Sequence, residues 1–199
     1  MGHNLRLLHD LLARTPMAGR YWLFGGLLLS AVREGEIMPH DTKDADFAFL
    51  AEDDALLRGT FAALVEAGFE PYLRFPGATG IATEYSFMKD DAKFEFFRVE
   101  IDDQDRFTWA NYGRLHDGHH TPIRNNCAIP AQPLDELRFL DRTWLKPRDA
   151  DFELTALYGD WRTPDADFSY MEAPTIVGRE PWDTSTYMSW PEVFKETGC

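Results

Sequence analysis

The sequence predicts an α/β (α+β) fold, a mixed sheet flanked by helices, with C-terminal helices and an extended aromatic tail. Three observations carry that expectation. Residues 21–50 join a short apolar strand to a helix-like run through Gly25-Gly26 and return as a second strand. Residues 81–101 alternate as a hairpin around Lys89-Asp90-Asp91. Two further stretches, 4–14 and the segment between Asp53 and Gly68, place apolar residues at helical spacing.

Taken in order, Leu5, Leu8 and Leu12, joined by Leu7 and Leu11, give residues 4–14 an apolar stripe that Thr15-Pro16 ends. Residues 20–24 read as a short buried strand. Leu27 to Glu34 continues as a helix that Gly35 stops. After a polar turn, residues 44–50 form the next strand. Asp53 and Asp54 start a helix carrying Leu57, Phe61, Leu64 and Val65, which Gly68 closes. Residues 69–75 alternate loosely as a strand. In the hairpin that follows, Ile81, Thr83, Tyr85 and Phe87 share one face. On the return strand Glu95 lies with Phe97, Val99 and Ile101. Residues 102–131 read as irregular. A helix is expected from Pro133 through Leu134, Leu137 and Leu140, and a second from Asp149 to Gly159. Beyond Asp160, prolines alternate with Trp161, Trp182 and Trp190. The whole, 1–199, is expected to form a single domain: a core of about 1–110, a helical part at about 132–160 and an irregular tail at 160–199.

The chemistry concentrates at 44–46. Alternation along a strand puts Asp44 and Asp46 on one face, about 7 Å apart along the backbone, and Ala45, Phe47 and Phe49 on the other. Neighbouring carboxylates repel and lose hydration unless a cation lies between them. Mg²⁺ is typically held by one or two carboxylates together with substrate phosphates. Gly25-Gly26 allows close approach of a ligand to the backbone at a helix entry, where free N–H groups attract phosphate. These parts describe a metal-dependent phosphoryl- or nucleotidyl-transfer site. Glu95, a carboxylate among apolar neighbours, needs a partner if buried; it is either a third metal ligand or a rim residue paired with Lys93 or Arg98. Arg33 lies about two helical turns beyond the glycines, where it reaches a phosphate or pairs with Glu34 or Glu36. His116, His119 and His120 have no fixed spacing or cysteine to mark a metal site and read as a polar loop.

Composition bounds the alternatives. The formal net charge is −14, from 34 acidic and 20 basic side chains, so the surface repels a nucleic-acid backbone. The two cysteines, Cys127 and Cys199, exclude a disulfide framework and a four-cysteine zinc site, and a reducing, cytoplasmic setting is expected. Leu5 to Leu12 is broken by Arg6, His9 and Asp10, unlike a signal peptide. No apolar run approaches the roughly 18 residues of a membrane span, so no direct membrane insertion is expected. With 44% hydrophobic and 14% aromatic residues the composition is that of a globular chain.

Residues 25–46 resemble the LicD/fukutin-related family of the nucleotidyltransferase fold. In that family a Gly-Gly-[Ser/Thr]-Leu-Leu-Gly-Ala-x-Arg segment leads through a Pro-Trp-Asp turn to an Asp-x-Asp strand. Here Gly25-Gly26-Leu27-Leu28-Leu29-Ser30-Ala31-Val32-Arg33 is followed by Pro39-His40-Asp41 and Asp44-Ala45-Asp46. A closing Leu-x-x-x-Tyr-Gly-x-x-Trp-x-x-Pro is matched by Leu154, Tyr158, Gly159, Trp161 and Pro164. The two motifs span residues 21–164 in the family's order. The chain departs from the pattern at Leu27, which replaces a hydroxyl residue, at His40, which replaces tryptophan, and at Lys43, an extra residue before the aspartates.

The resemblance implies a nucleotidyltransferase-like mixed sheet. It assigns Asp44 and Asp46 as metal ligands, with the third carboxylate on a later strand, expected at Glu95 with Glu100 and Asp102 as fallbacks. Gly25, Gly26, Arg33, His40 and Asp41 become the substrate-binding set. The implied cofactor is Mg²⁺ or Mn²⁺, as two ions roughly 3.5–4 Å apart. The implied reaction transfers phosphocholine or an alditol phosphate from a CDP-activated donor to a hydroxyl of a sugar or small acceptor, with catalysis by Asp44, Asp46 and Glu95 through positioning, charge neutralisation and proton removal. The competing readings are nucleotidyl transfer from an NTP to a small molecule or protein, and nucleotide binding without turnover.

Overall fold

The structure, a computed structural model, describes residues 1–39, 42–76, 82–114, 121–182 and 188–189. Helix α1 (Gly2–Leu12) buries Leu5, Leu8 and Leu12, as its stripe requires. Strand β1 (Tyr21–Leu23) runs into helix α2 (Gly25–Leu29), which continues as a π-helical turn, Ser30–Glu34, to Gly35 in the left-handed conformation. Strand β2 (Asp44–Leu50) follows. The single helix expected after Asp53 is two short ones, α3 (Asp54–Arg58) and α4 (Phe61–Glu66), separated where the Thr60 hydroxyl donates to the Leu57 carbonyl at 2.7 Å.

Strands β3 (Glu70–Pro76), β4 (Ala82–Lys89) and β5 (Ala92–Ile101) form a meander, and β5 continues into β6 (Arg106–Arg114), β7 (Pro122–Pro130) and, later in the chain, β10 (Ile176–Pro181). A mostly antiparallel sheet thus runs β10-β7-β6-β5-β4-β3, with the two-residue β11 (Met188–Ser189) beyond β3. Among the described residues its one parallel ladder joins β2 to β5 from Asp44↔Lys93 to Leu50↔Val99, and β1 lies antiparallel on the outer side of β2. The fold is therefore mixed α/β, with helices flanking the sheet, as expected.

Three segments differ from the expectation. Residues 102–131 are not irregular: β6 and β7 form a long antiparallel hairpin. Its inward positions alternate Phe107 and Trp109 on one strand with Ile123, Asn125, Cys127 and Ile129 on the other; the buried Asn125 and polar Asn111 mask the period of two. The leucines at 134, 137 and 140 do not form a helix. They belong to a hairpin of β8 (Leu134–Phe139) and β9 (Arg142–Pro147), turned by Leu140 and Asp141 at φ of 50° and 60°. The hairpin buries Trp144, which stacks on Phe47 at 5.8 Å and donates its N–H to the Phe139 carbonyl at 2.9 Å. Among the described residues one C-terminal α-helix remains, α5 (Ala150–Tyr158), its N–H at Phe152 capped by Asp149 at 3.0 Å. The tail is not wholly irregular either, since β10 pairs with β7. Trp161 packs into the core, and Trp190 lies outside the described residues.

The sheet separates two apolar clusters. Ala45, Phe47 and Phe49 of β2 join Phe94 and Phe96 of β5 and the leucines of α1 on one side. Trp22, Phe24, Ala48, Phe97, Val99, Phe107, Trp109 and Leu157 gather on the other. Asp44, Asp46 and Glu95 belong by alternation to this second side, at the starting ends of the two parallel strands.

Candidate active site

The parallel register sets the geometry. Asp46 lies directly across from Glu95 and Asp44 across from Lys93. The three carboxylates each bring an oxygen to within 4.8 Å of the other two. Asp44 and Asp46 are half-buried, and Glu95 is 7% exposed. Lys93 joins the cluster, its Nζ 2.8 Å from Glu95 Oε2 and 3.6 Å from Asp44 Oδ2. Burial opposes the Lys93 charge, but the charge and hydrogen bond of Glu95, with the charge of Asp44, outweigh it and raise its pKa. Glu95 is thus both a member of the acidic trio and the partner of Lys93.

The glycine pair serves Asp46. The Gly26 N–H donates to Asp46 Oδ2 at 2.9 Å, and the Phe24 N–H to the Asp46 carbonyl at 3.0 Å. Gly25 has φ of +50°, and a β-carbon there would stand 2.4 Å from Asp46 Oδ2. Glycine is required at 25 by conformation and by space alike. Its role, read in the sequence as room for a phosphate, is first of all room for the aspartate.

One member of the expected substrate set, Arg33, lines a different cavity. Arg33 donates to Glu34 at 2.7 Å, to the Trp161 carbonyl at 3.0 Å and to Met38 Sδ at 2.8 Å. It lines, with Gly26, a second cavity of about 580 Å³, walled from the first by the Tyr158 and Phe168 rings. His40 and Asp41 fall outside the described residues, as do His116, His119 and His120. The fallback carboxylates are not in the trio: Glu100 pairs with Arg98, and Asp102 accepts from Arg106 and two backbone N–H groups at the β5–β6 turn.

The acidic trio opens into a cavity of about 380 Å³. Phe24, Phe97 and Trp109 form one wall, with ring centroids 5.3–5.5 Å apart about Phe24. Phe75 and Tyr112, stacked at 4.6 Å, form another, and Tyr158, Phe168 and Tyr170 close the side nearest α5. A carboxyl unremarked in the sequence, Glu84 of β4, also lines it. Glu84 is 4% exposed, and its pKa stands well above the carboxylate range because burial disfavours its charge and Glu95 adds to the repulsion. Strand parity was the available signal: with Tyr85 and Phe87 facing one cluster, Glu84 and Ser86 must face the other, and Ser86 pairs across to Glu95.

Three carboxylates so close form a group that could hold a hard divalent cation, which would remove the cost of crowding them. The family model described as "LicD/FKTN/FKRP, nucleotidyltransferase domain" matches residues 19–149. No curated protein matches the chain. Among solved structures, the chain is similar to the lincosamide antibiotic adenylyltransferase LnuA with lincomycin bound, at 15% identity and a TM-score of 0.46, over 77% of this chain and 84% of that one.

Proposed function

Because this chain belongs to the LicD/FKTN/FKRP nucleotidyltransferase-domain family, we propose that it is a metal-dependent transferase moving a phosphate-linked group, of phosphocholine or alditol phosphate type, from a CDP-activated donor to a hydroxyl of a sugar or small acceptor. The convergence of Asp44, Asp46 and Glu95 beside Gly25-Gly26 carries this reading. These three carboxylates would hold Mg²⁺ or Mn²⁺, which when bound supplies charge neutralisation for the diphosphate and for the attacking oxygen.

The chain's own groups do the rest. Gly26 fixes Asp46 through its N–H, so the carboxylate is oriented before any ligand arrives. Glu95 takes the proton of the acceptor hydroxyl as the new oxygen–phosphorus bond forms and the phosphoanhydride bond to CMP breaks, CMP leaving with the bonding pair. Lys93, held between Glu95 and Asp44, contributes positive charge at the same place. The aromatic walls exclude water and so favour the acceptor hydroxyl over hydrolysis.

The test is a thermal-shift screen with Mn²⁺ and a panel of CTP, ATP, CDP-choline and a CDP-alditol, followed by product analysis. Stabilisation confined to CDP-linked donors, by about 2.7 kcal/mol at a hundred times Kd, supports the proposal. Stabilisation by NTPs with NMP transfer would replace it with nucleotidyl transfer. Metal and nucleotide binding unchanged in the Asp44→Asn, Asp46→Asn double variant would refute the site.

A further inference from the structure

The chamber into which the acidic trio opens is lined with aromatic rings that stop short of burial. Phe75, Phe97, Tyr112, Tyr158 and Phe168 line it and are each half-buried, and Tyr170, on the side nearest α5, is 49% exposed. They come from β3, β5, β6, α5 and the stretch beyond it, so the sheet and the last helix build the wall together. Apolar surface gains about 25 cal/mol per Å² on leaving water, and rings left part-exposed around one cavity favour a ligand that covers them. The wall is also fixed before any ligand comes. Phe75 and Tyr112 stack at 4.6 Å with 17° between their planes, Phe24 meets Trp109 edge-on at 5.3 Å, and Tyr158 meets Phe168 at 4.9 Å. A preformed wall lowers the ordering cost of binding.

The polar groups of the chamber say what kind of ligand. Away from the trio and Lys93, the Asn111 amide donates to Cys127 Sγ at 3.7 Å, the Tyr112 hydroxyl shares a hydrogen bond with Thr83 at 2.9 Å, and the Tyr170 hydroxyl donates to the Tyr112 carbonyl at 3.1 Å. These groups are turned to the protein. A sugar carries a hydroxyl on nearly every carbon, and each one buried without a partner costs about 1–3 kcal/mol. A planar ring asks for no such partner. It meets aromatic walls in stacked or edge-on contacts worth about 0.5–1.5 kcal/mol beyond burial. The volume of about 380 Å³ lies within the range of small-molecule pockets, about 300–1,000 Å³.

We propose that the chamber binds an alcohol whose body is an aromatic ring system, the ring lying among the half-buried aromatic side chains and the hydroxyl pointing to Asp44, Asp46 and Glu95. The acceptor is thereby narrowed from a sugar or small molecule to an aromatic alcohol. That this ligand is the acceptor rests on the transferase reading above; that the chamber holds its ring does not.

The experiment compares naphthylethanol and phenylethanol with glucose and glycerol by calorimetry and saturation-transfer NMR on the full chain in excess Mg²⁺. Naphthylethanol should bind at least about tenfold more tightly than glucose, a ratio that needs only about 55 Å² of additional buried apolar surface. Phenylethanol should fall between them. Phe168→Ala and Phe75→Ala should each weaken naphthylethanol by about two- to tenfold. Glucose binding as tightly as naphthylethanol to the unmodified protein overturns the proposal whatever the variants do. Naphthylethanol binding that neither variant changes places the ring elsewhere and overturns it as well. So does strict competition between CMP and naphthylethanol, which would give the chamber to the nucleobase. Donor binding measured in parallel separates the two readings: aromatic preference without any nucleotide binding leaves this chamber standing and removes the transferase, and nucleotide binding without aromatic preference removes only the aromatic ligand.

Discussion

At position 25 one hydrogen atom in place of a side chain decides whether the acidic trio assembles. Gly25→Ala would drive a β-carbon into Asp46 Oδ2 and force a left-handed φ on alanine, a strain of about 1–3 kcal/mol. Relief requires Asp46 to swing away or the helix entry to shift, and either breaks the Gly26 bond. The expected result is at least a tenfold loss of Mn²⁺ affinity by calorimetry with a modest loss of stability; unchanged affinity would show that Asp46 does not hold metal. The residue scale also shows where sequence sufficed. Period two along 44–50 and 93–101 was enough to put Asp44, Asp46 and Glu95 on compatible faces, because both strands carry apolar residues at every other position. Glu84 lies on the face of β4 opposite Tyr85 and Phe87, where the polar pattern gives no sign of burial, yet both faces of the strand are buried. Of the two outcomes open to Arg33, the pairing with Glu34 is the one seen, while its further contacts to Trp161 and Met38, made from a π-helical turn, leave no mark on local sequence.

At the scale of the element, α5 carries a buried acid in its first turn. Glu153 is 1% exposed, accepts a hydrogen bond from Gln132 at 3.0 Å, and has its pKa raised to about 7 by burial. The folded protein therefore holds this proton more tightly than the unfolded chain, whose glutamate titrates near 4.5. Below about 4.5 both states are protonated and the group is neutral to stability. As pH rises through the window from about 4.5 to about 7, the unfolded chain gains the charged form first and the folded state loses ground, by about 3 kcal/mol in all. Glu153→Gln should remove that loss, so denaturant unfolding at pH 8 should show a more stable protein than the parent, with the gap closing toward pH 4.5. A gap that does not narrow would rule this account out. The same scale explains the misread hairpin of β8 and β9. Leucines at 134, 137 and 140 satisfy helical spacing, but Trp144 fits the face of Phe47 only if the chain turns back at Leu140-Asp141, and such a long-range packing preference leaves no mark on local periodicity.

For the molecule as a whole, the net charge of −14 is spread over a chain that also concentrates four carboxyls in one cavity. Self-repulsion of that size opposes compactness and is relieved by salt. Raising NaCl from about 10 mM to about 150 mM shortens the screening length from about 30 Å to about 8 Å. The melting midpoint should rise by about 2–4 °C, equivalent to roughly 1 kcal/mol for a chain of this size, and a flat or falling midpoint in calorimetric scans would exclude repulsion as a controlling influence. The layered arrangement was readable from composition and pattern, while the order of strands was not: β10 returns across more than forty residues to pair with β7, a contact that no window of sequence contains. Lys93 has a consequence at this scale too. Seated between Glu95 and Asp44, it is a resident counterion supplied by the chain itself. Folding therefore brings the acids together with a positive charge already among them, and assembly of the cluster is part of folding itself.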